Sequence, residues 1–490
     1  MRLDWSLLAP EYVLAGWAAM LVLVGTFFPR LPKTWLGYLG AAGALAAAGT
    51  SLIWLNDDDA FGNLLEVDNY TTFFRLLFHG IAFTVCLVSA RYVGERLKNA
   101  GEYYGLVLLS ALGATYMAAA QELLSAYIAL ELSSFSLYVL ASFARNEIRS
   151  NEGGLKYMLL GAFSSAILLY GLSMIYAATK TTQYDGIREA LSGDLEGARS
   201  AVLLGLVLLV AGLGFKVAAV PFHMWTPDAY EGAPLPVTAL ISALSKAAGF
   251  ALFIKLFVRG LMPLADDWQP LLAGLAAATM LLGNLVALQQ RNIKRLLAYS
   301  SIGQVGYILA GVVALSPDRP DAATAILFHL AGYVISNLAA FACAIVYYNW
   351  TGKEDIYDYR GLAERAPFLA LAMSASLFSL AGMPLFAGFV TKFVLFQAIA
   401  EEGFLWLAGV GVLTSFISLY YYLMVMKQMY LGEPEEPGRF PTPWLEYAAV
   451  AALLVGIFLV GLAPLPLMEA AEDAASLVYR ELGTALVAGR

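Results

Sequence analysis

Runs of about twenty apolar residues, parted by short polar stretches, follow one another along almost the entire chain. A helix of about that length crosses the hydrocarbon core of a bilayer. The runs predict about fourteen helices, at 11–28, 35–55, 71–93, 102–119, 121–143, 153–178, 200–230, 235–258, 270–290, 296–315, 322–350, 366–400, 404–430 and 444–463. The split near 119–121 is the least marked, because no loop-like stretch separates its two runs. The period-two alternation of barrel strands is absent. Two long runs are interrupted by proline, Pro221 in 200–230 and Pro384 in 366–400, and proline removes a donor that a helix interior needs. The predicted fold class is an all-α integral membrane protein.

The basic residues sort by loop. Alternate loops hold Arg30 and Lys33; Arg91, Arg96 and Lys98; Arg145, Arg149 and Lys156; Arg291, Lys294 and Arg295; Lys353, Arg360 and Arg365; Lys427 and Arg439. The intervening loops are poorer in Lys and Arg, and one carries the run Asp57-Asp58-Asp59. The positive-inside rule places the first set in the cytoplasm and both termini outside. The acidic run reads as a solvated loop rather than a metal site. No basic stretch and cleavage site precede the first apolar run, which reads as a retained helix.

Composition sharpens this picture. The 490 residues are 60% hydrophobic and 13% charged, against about 25% charged in a soluble domain. A net charge of −8 without an arginine stripe argues against nucleic acid. Cys86 and Cys343 sit alone in apolar runs, too few for an iron–sulfur or zinc site, and read as buried small hydrophobes. His79, His223 and His329 are too scattered to suggest haem or a metal. No glycine-rich phosphate loop or dinucleotide fingerprint occurs.

Four ionisable residues stand deep in apolar runs: Glu131, Lys216, Lys246 and Lys392. A charge at the centre of a membrane helix costs ~2.5–3.5 kcal/mol on insertion scales, and such residues mark ion or proton pathways. Three lysines cannot all pair with one glutamate, which argues against purely structural ion pairs. Helical spacing groups Tyr127, Glu131, Ser134 and Tyr138 on one face, Thr238 and Ser242 with Lys246, Ser300 with Gln304 and Tyr307, and His329 with Tyr333, Ser336 and Asn337. Interhelical hydrogen bonding is the plain alternative for these stripes. Burial disfavours a charged amine and a nearby carboxylate restores it. A swing of about 2 pKa units is worth about 2.7 kcal/mol, comparable to the ~2.3 kcal/mol that one charge needs across ~100 mV. His223, just past Pro221, suits either a cap or a proton relay. His329, between the two halves, suits a relay. His79 reads as packing, and Arg75 as an interface residue at a helix end.

The order of lysine and proline reverses between the broken runs: Lys216 precedes Pro221, and Lys392 follows Pro384. Paired broken helices at corresponding positions are typical of inverted-repeat transporters. The expected division is a three-helix segment 1–101, five-helix repeats at 102–258 and 270–430, and a last helix with a short tail at 444–490.

The stretch from Gly212 to Lys246, with Lys216-Val-Ala-Ala-Val-Pro221-Phe-His223 and Ala233-Pro234-Leu-Pro236, strongly resembles the antiporter-like membrane subunits of respiratory complex I and their relatives in multisubunit cation/proton antiporters. Asn292-Ile-Lys294-Arg295-Leu-Leu-Ala-Tyr299-Ser300-Ser301-Ile-Gly-Gln304 is a second signature of that family, and the resemblance covers nearly the whole chain. The loop 354–367, a lysine at 392 and the short tail point to one branch of it. The second broken run departs from the family, with Gly382-Met-Pro384-Leu385 where Gly-Ile-Pro-Pro is usual. The resemblance implies proton transfer by Glu131 and Lys216 as a coupled pair, Lys246 as central relay and Lys392 as terminal site. It implies no cofactor in this chain, with FMN, iron–sulfur clusters and quinone in partner subunits of a NADH–quinone oxidoreductase. It further implies a bacterial inner membrane, with lipid, protons and the other subunits as partners. A cation/proton antiporter subunit and a non-conducting scaffold are the competing readings; flavin and iron–sulfur genes alongside would favour the first.

Overall fold

The structure, a computed structural model, describes residues 4–56, 59–193, 197–434, 438–441 and 444–488. Its main elements in chain order are α1 (Ala9–Phe27), α2 (Lys33–Ser51), β1 (Asp59–Phe61), β2 (Leu65–Val67), α3 (Asn69–Arg96), α4 (Ala100–Ala119), α5 (Leu123–Ala141), α6 (Ile148–Thr179), α7 (Tyr184–Ser192), α8 (Arg199–Val217) and α9 (Trp225–Gly232). There follow α10 (Leu235–Arg259), α11 (Ala265–Ala287), α12 (Ile293–Val313), α13 (Asp321–Thr351), α14 (Pro367–Ala381), α15 (Ala387–Glu401), α16 (Leu405–Leu431), α17 (Trp444–Leu462) and α18 (Leu465–Ala488). Among the described residues, 12 helices are long and apolar enough to cross a membrane. The other two predicted runs are helical too: 102–119 as α4, and 366–400 as α14 and α15, each half only 15 residues long.

Both predicted breaks occur, and local geometry explains them. Ala218 takes a left-handed φ of 69° and closes its N–H on the Gly214 and Phe215 carbonyls, which ends α8. Pro221 then lacks the N–H to resume it. Gly382, at φ 84°, ends α14 in the same way. Leu385 follows at φ 77°, a value closed to proline, so the family's usual second proline would not fit this turn. Gly388 lets the two half-helices approach, since a Cβ there would stand 1.8 Å from the Ser379 carbonyl oxygen.

Helices α10, α12 and α13 form the core and are buried almost throughout. Peripheral helices expose large apolar side chains such as Leu23, Phe163, Phe416 and Leu459, as a bilayer-facing surface requires. At one end, irregular segments are stitched together. β1 pairs antiparallel with β2, the Gln121 amide bonds the Leu64 carbonyl, and the Leu123 and Tyr184 amides bond Thr182 and Gln121. Asp57 and Asp58 lie outside the described residues; Asp59 opens β1 and is exposed.

Two expectations need correction. The short tail after 463 is the helix α18, packed against α3, α10 and α13. Ala471, Ala474, Ala475 and Val478 are buried and follow helical spacing, while Glu469, Glu472 and Asp473 are exposed. Arg75 is not an interface residue. It is fully buried, donating from Nε and Nη2 to both carboxylate oxygens of Glu11, each at 2.8 Å, and from Nη2 to the Leu7 carbonyl at 3.0 Å. This pair pins α3 to α1. Both cysteines are free and buried.

Candidate proton-transfer site

Lys216 occupies the last turn of α8, where the unpaired carbonyls of the broken helix favour a cation. Its Nζ donates to Ser134 Oγ on α5 at 2.9 Å. Its own carbonyl accepts from Ser245 on α10 at 3.3 Å. The close approach of α8 to α10 depends on Gly249, where a Cβ would meet Val217 at 2.6 Å. Glu131, one turn before Ser134, is half-buried and accepts a hydrogen bond from Ser165. The predicted face of α5 thus reaches Lys216, through the serine rather than by a direct carboxylate contact.

Lys392 solves the same problem from the other side of its break. Its Nζ donates to the Leu380 carbonyl at 2.7 Å, in the last turn of α14, and to Ser415 Oγ at 3.1 Å. Leu380 also accepts from Gln304 Nε2 at 2.9 Å. The ammonium stands 4.8 Å from the centre of the Tyr307 ring. It borders a crevice of about 190 Å³ lined by Phe389, Phe393, Phe396 and Phe416.

Lys246 follows directly on the π-helical turn Ile241–Ser245 within α10. Such turns recur at functional sites. Thr238 and Ser242, placed on its face by spacing, do not hold it. Thr238 donates to the Tyr230 carbonyl at 2.9 Å, and Ser242 accepts from Asn337 Nδ2 at 2.7 Å. The hydrogen-bond partner of Lys246 Nζ is the Tyr230 hydroxyl, at 2.5 Å. Each of the three ammonium groups is therefore held by neutral oxygens. Among the described residues, none of them makes an ion pair within 4 Å.

The stripe on α13 bridges α10 and α14. Tyr333 donates to the Ser242 carbonyl at 3.0 Å, and Ser336 meets Ser379 at 2.7 Å. His329 Nδ1 lies 3.0 Å from Thr391 Oγ1, the residue before Lys392, and its Nε2 is buried without a hydrogen-bond partner among the described residues. His223 lies in the turn before α9, and among the described residues its buried Nδ1 has no hydrogen-bond partner. His79, fully buried, lies 3.4 Å from Ser51.

A further charged cluster escaped the sequence reading. Lys255 and Arg259, on the last turns of α10, bind Glu66 of β2 at 3.1 and 2.5 Å, and Arg259 binds Asp185 of α7 at 3.0 Å. Burial opposes ionisation of Glu66, but Lys255 and Arg259 outweigh it and hold its carboxyl down at about 2. Lys255 stands in the same apolar run as Lys246, so the criterion that found one applied to both. Among the described residues, no group of three or more His, Cys, Asp or Glu side chains is arranged to hold a metal.

Residues 120–418 match the family described as NADH:quinone oxidoreductase/Mrp antiporter, TM. NADH-quinone oxidoreductase subunit N of Moorella thermoacetica is 44% identical over 96% of this chain and 98% of its own. The subunit N of Trichlorobacter lovleyi is 40% identical over 97% and 98%. Subunit N is the branch that the 354–367 loop and Lys392 single out. Among solved structures, a chain of respiratory complex I from Thermus thermophilus with bound Aureothin superposes with a TM-score of 0.78 at 34% identity, over 94% of this chain and 98% of that one. A chain of the Mrp complex from Dietzia sp. DQ12-45-1b has a TM-score of 0.84 at 24% identity, covering 96% and 98%, which shows a shared fold.

Proposed function

Because the chain belongs to the NADH:quinone oxidoreductase/Mrp antiporter membrane family, we propose that it is the proton-translocating subunit N of a NADH–quinone oxidoreductase, driven by redox chemistry in other subunits. Identity of 40–44% to subunit N relatives, against 24% to the equally well covered Mrp chain, favours this reading over a cation/proton antiporter. The observation that carries the chemistry is the shared state of Lys216, Lys246 and Lys392: buried, held by neutral oxygens and, among the described residues, without an ion pair within 4 Å. An amine so placed gains or loses a proton when a carboxylate or water approaches, because burial works against its charge and a new partner restores it. In this reading Glu131 modulates Lys216, Lys246 relays, and Lys392 is the terminal site. His329, one residue from Lys392 through Thr391, supports the link between halves; His223 is at most a side relay.

The same reading takes the chain as fourteen crossings, with inverted repeats at 102–258 and 270–430 between the segments 1–101 and 444–490. Both termini face outward in a bacterial inner membrane. The lysines serve the break in each repeat alike, since Lys216 ends its half-helix and Lys392 reaches back to the end of the preceding one. FMN, iron–sulfur clusters and quinone belong to partner subunits.

The test uses the purified complex in proteoliposomes, with protons moved per electron as the readout. Lys216→Ala and Glu131→Ala are expected to lower that ratio while assembly is retained. Assembled variants that pump at the wild-type ratio would leave the chain a scaffold.

A further inference from the structure

Tyr230 sits in the last turn of α9 and is fully buried. Its hydroxyl accepts from Lys246 Nζ at 2.5 Å, and among the described residues that ammonium has no other hydrogen-bond partner. The ammonium also lies 4.9 Å from the centre of the tyrosine ring. Ser301 of α12 and Tyr333 of α13 stand near Tyr230, but their hydroxyls donate to the Ala298 carbonyl at 2.7 Å and the Ser242 carbonyl at 3.0 Å. The amine thus meets the hydroxyl of Tyr230, with two further hydroxyls beyond it.

The residues beside Tyr230 on the same short helix point elsewhere. Asp228 binds Lys156 at 2.8 Å and Arg295 at 3.2 Å, and Glu231 binds Arg295 at 2.9 Å. Their side chains are about a third exposed, 36% and 31%. One turn of helix therefore carries partly exposed carboxylates on one side and a buried hydroxyl against Lys246 on the other.

We infer that Tyr230 is the immediate proton donor to Lys246, feeding it from the charged end of α9. This rests on the proton-relay reading of Lys246. The step transfers one proton: an O–H bond of Tyr230 breaks as an N–H bond forms on the neutral amine. As that proton leaves, the phenolic oxygen takes a replacement from a hydronium-bearing water that enters from the aqueous phase, so the tyrosine ends protonated and one proton has moved to the amine. No phenolate accumulates, and the source is the aqueous phase at the Asp228–Glu231 end.

The test is Tyr230→Phe in the intact complex in proteoliposomes. The substitution keeps the ring, which lies 6.3 Å from Trp225, and removes only the hydroxyl. The expected result is a proton yield per electron that is lost at alkaline pH on the Asp228–Glu231 side and recovers as that side is acidified, with assembly unchanged. A wild-type yield at every pH, alongside a Lys246→Ala variant that loses its yield, overturns the role of Tyr230 alone. An equal loss at every pH also overturns it, since that marks a packing defect. A Lys246→Ala variant with wild-type yield removes the reading on which the inference rests.

Discussion

Glu66→Gln isolates the cluster that ties the hairpin and α7 to the end of α10. The substitution keeps the side chain's shape and removes its charge. Glu66 is 6% exposed, so solvent screens its pairs little. Lys255 and Arg259 take its carboxyl from 4.5 to about 2. At ~1.4 kcal/mol per pKa unit, that is about 3 kcal/mol of stabilisation at neutral pH. Because the folded carboxyl is the more acidic, this contribution is complete above about 4.5 and fades as pH falls toward 2. Gln leaves Lys255 its hydrogen bonds to the Ala118 and Ala119 carbonyls and the nearby Asp68 carboxyl, while Arg259 keeps Asp185. The assay is amide hydrogen exchange in the purified complex, read in peptides covering 59–67 and 184–192. An energy of ~3 kcal/mol corresponds to roughly hundredfold faster local opening in the variant at pH 7. Exchange unchanged in these peptides would refute the clamp. So would wild-type protection that already declines between pH 7 and 5, where Glu66 stays ionised.

Two further substitutions probe the broken helices. Gly388→Ala forces the half-helices α14 and α15 apart, because the added Cβ falls 1.8 Å from the Ser379 carbonyl oxygen; assembled complex on native gels should drop sharply, and normal assembly would show the breakpoint to be pliant. Ser134→Ala removes the hydroxyl that holds Lys216, at a cost of about 1–3 kcal/mol for an orphaned buried donor. Protons moved per electron should fall with assembly retained, and an unchanged ratio would mean that Lys216 finds its partner elsewhere.

The apolar runs were a sound guide to helices because the bilayer punishes every unsatisfied backbone group, so length and hydropathy are written locally. Both breaks were visible as prolines, although the residues that end the half-helices are Ala218 and Gly382. Lys255 stands in the same apolar run as Lys246 and is equally legible there. The tail helix α18 carries too many acids for a membrane run, but its apolar stripe at 471, 474, 475 and 478 has helical spacing. Arg75 looked like a helix-end residue because its partner Glu11 lies 64 positions away.

What the sequence determined by itself is the membrane class, the helix positions and the four costly charges. Each follows from a cost that one segment bears alone: a buried lysine is expensive whatever its neighbours are. What only the tertiary structure decided is how each charge is held. Lys216 turns to Ser134, Lys246 to Tyr230 and Lys392 to the Leu380 carbonyl, partners from 12 to 82 positions away. Helical spacing had offered Lys246 its own Ser242 and Thr238, but packing gave those hydroxyls to other contacts. A hydrogen bond reaches only about 3 Å, so which oxygen meets which ammonium is settled by how helices approach, at Gly249 and Gly388 among others, and no single segment records that.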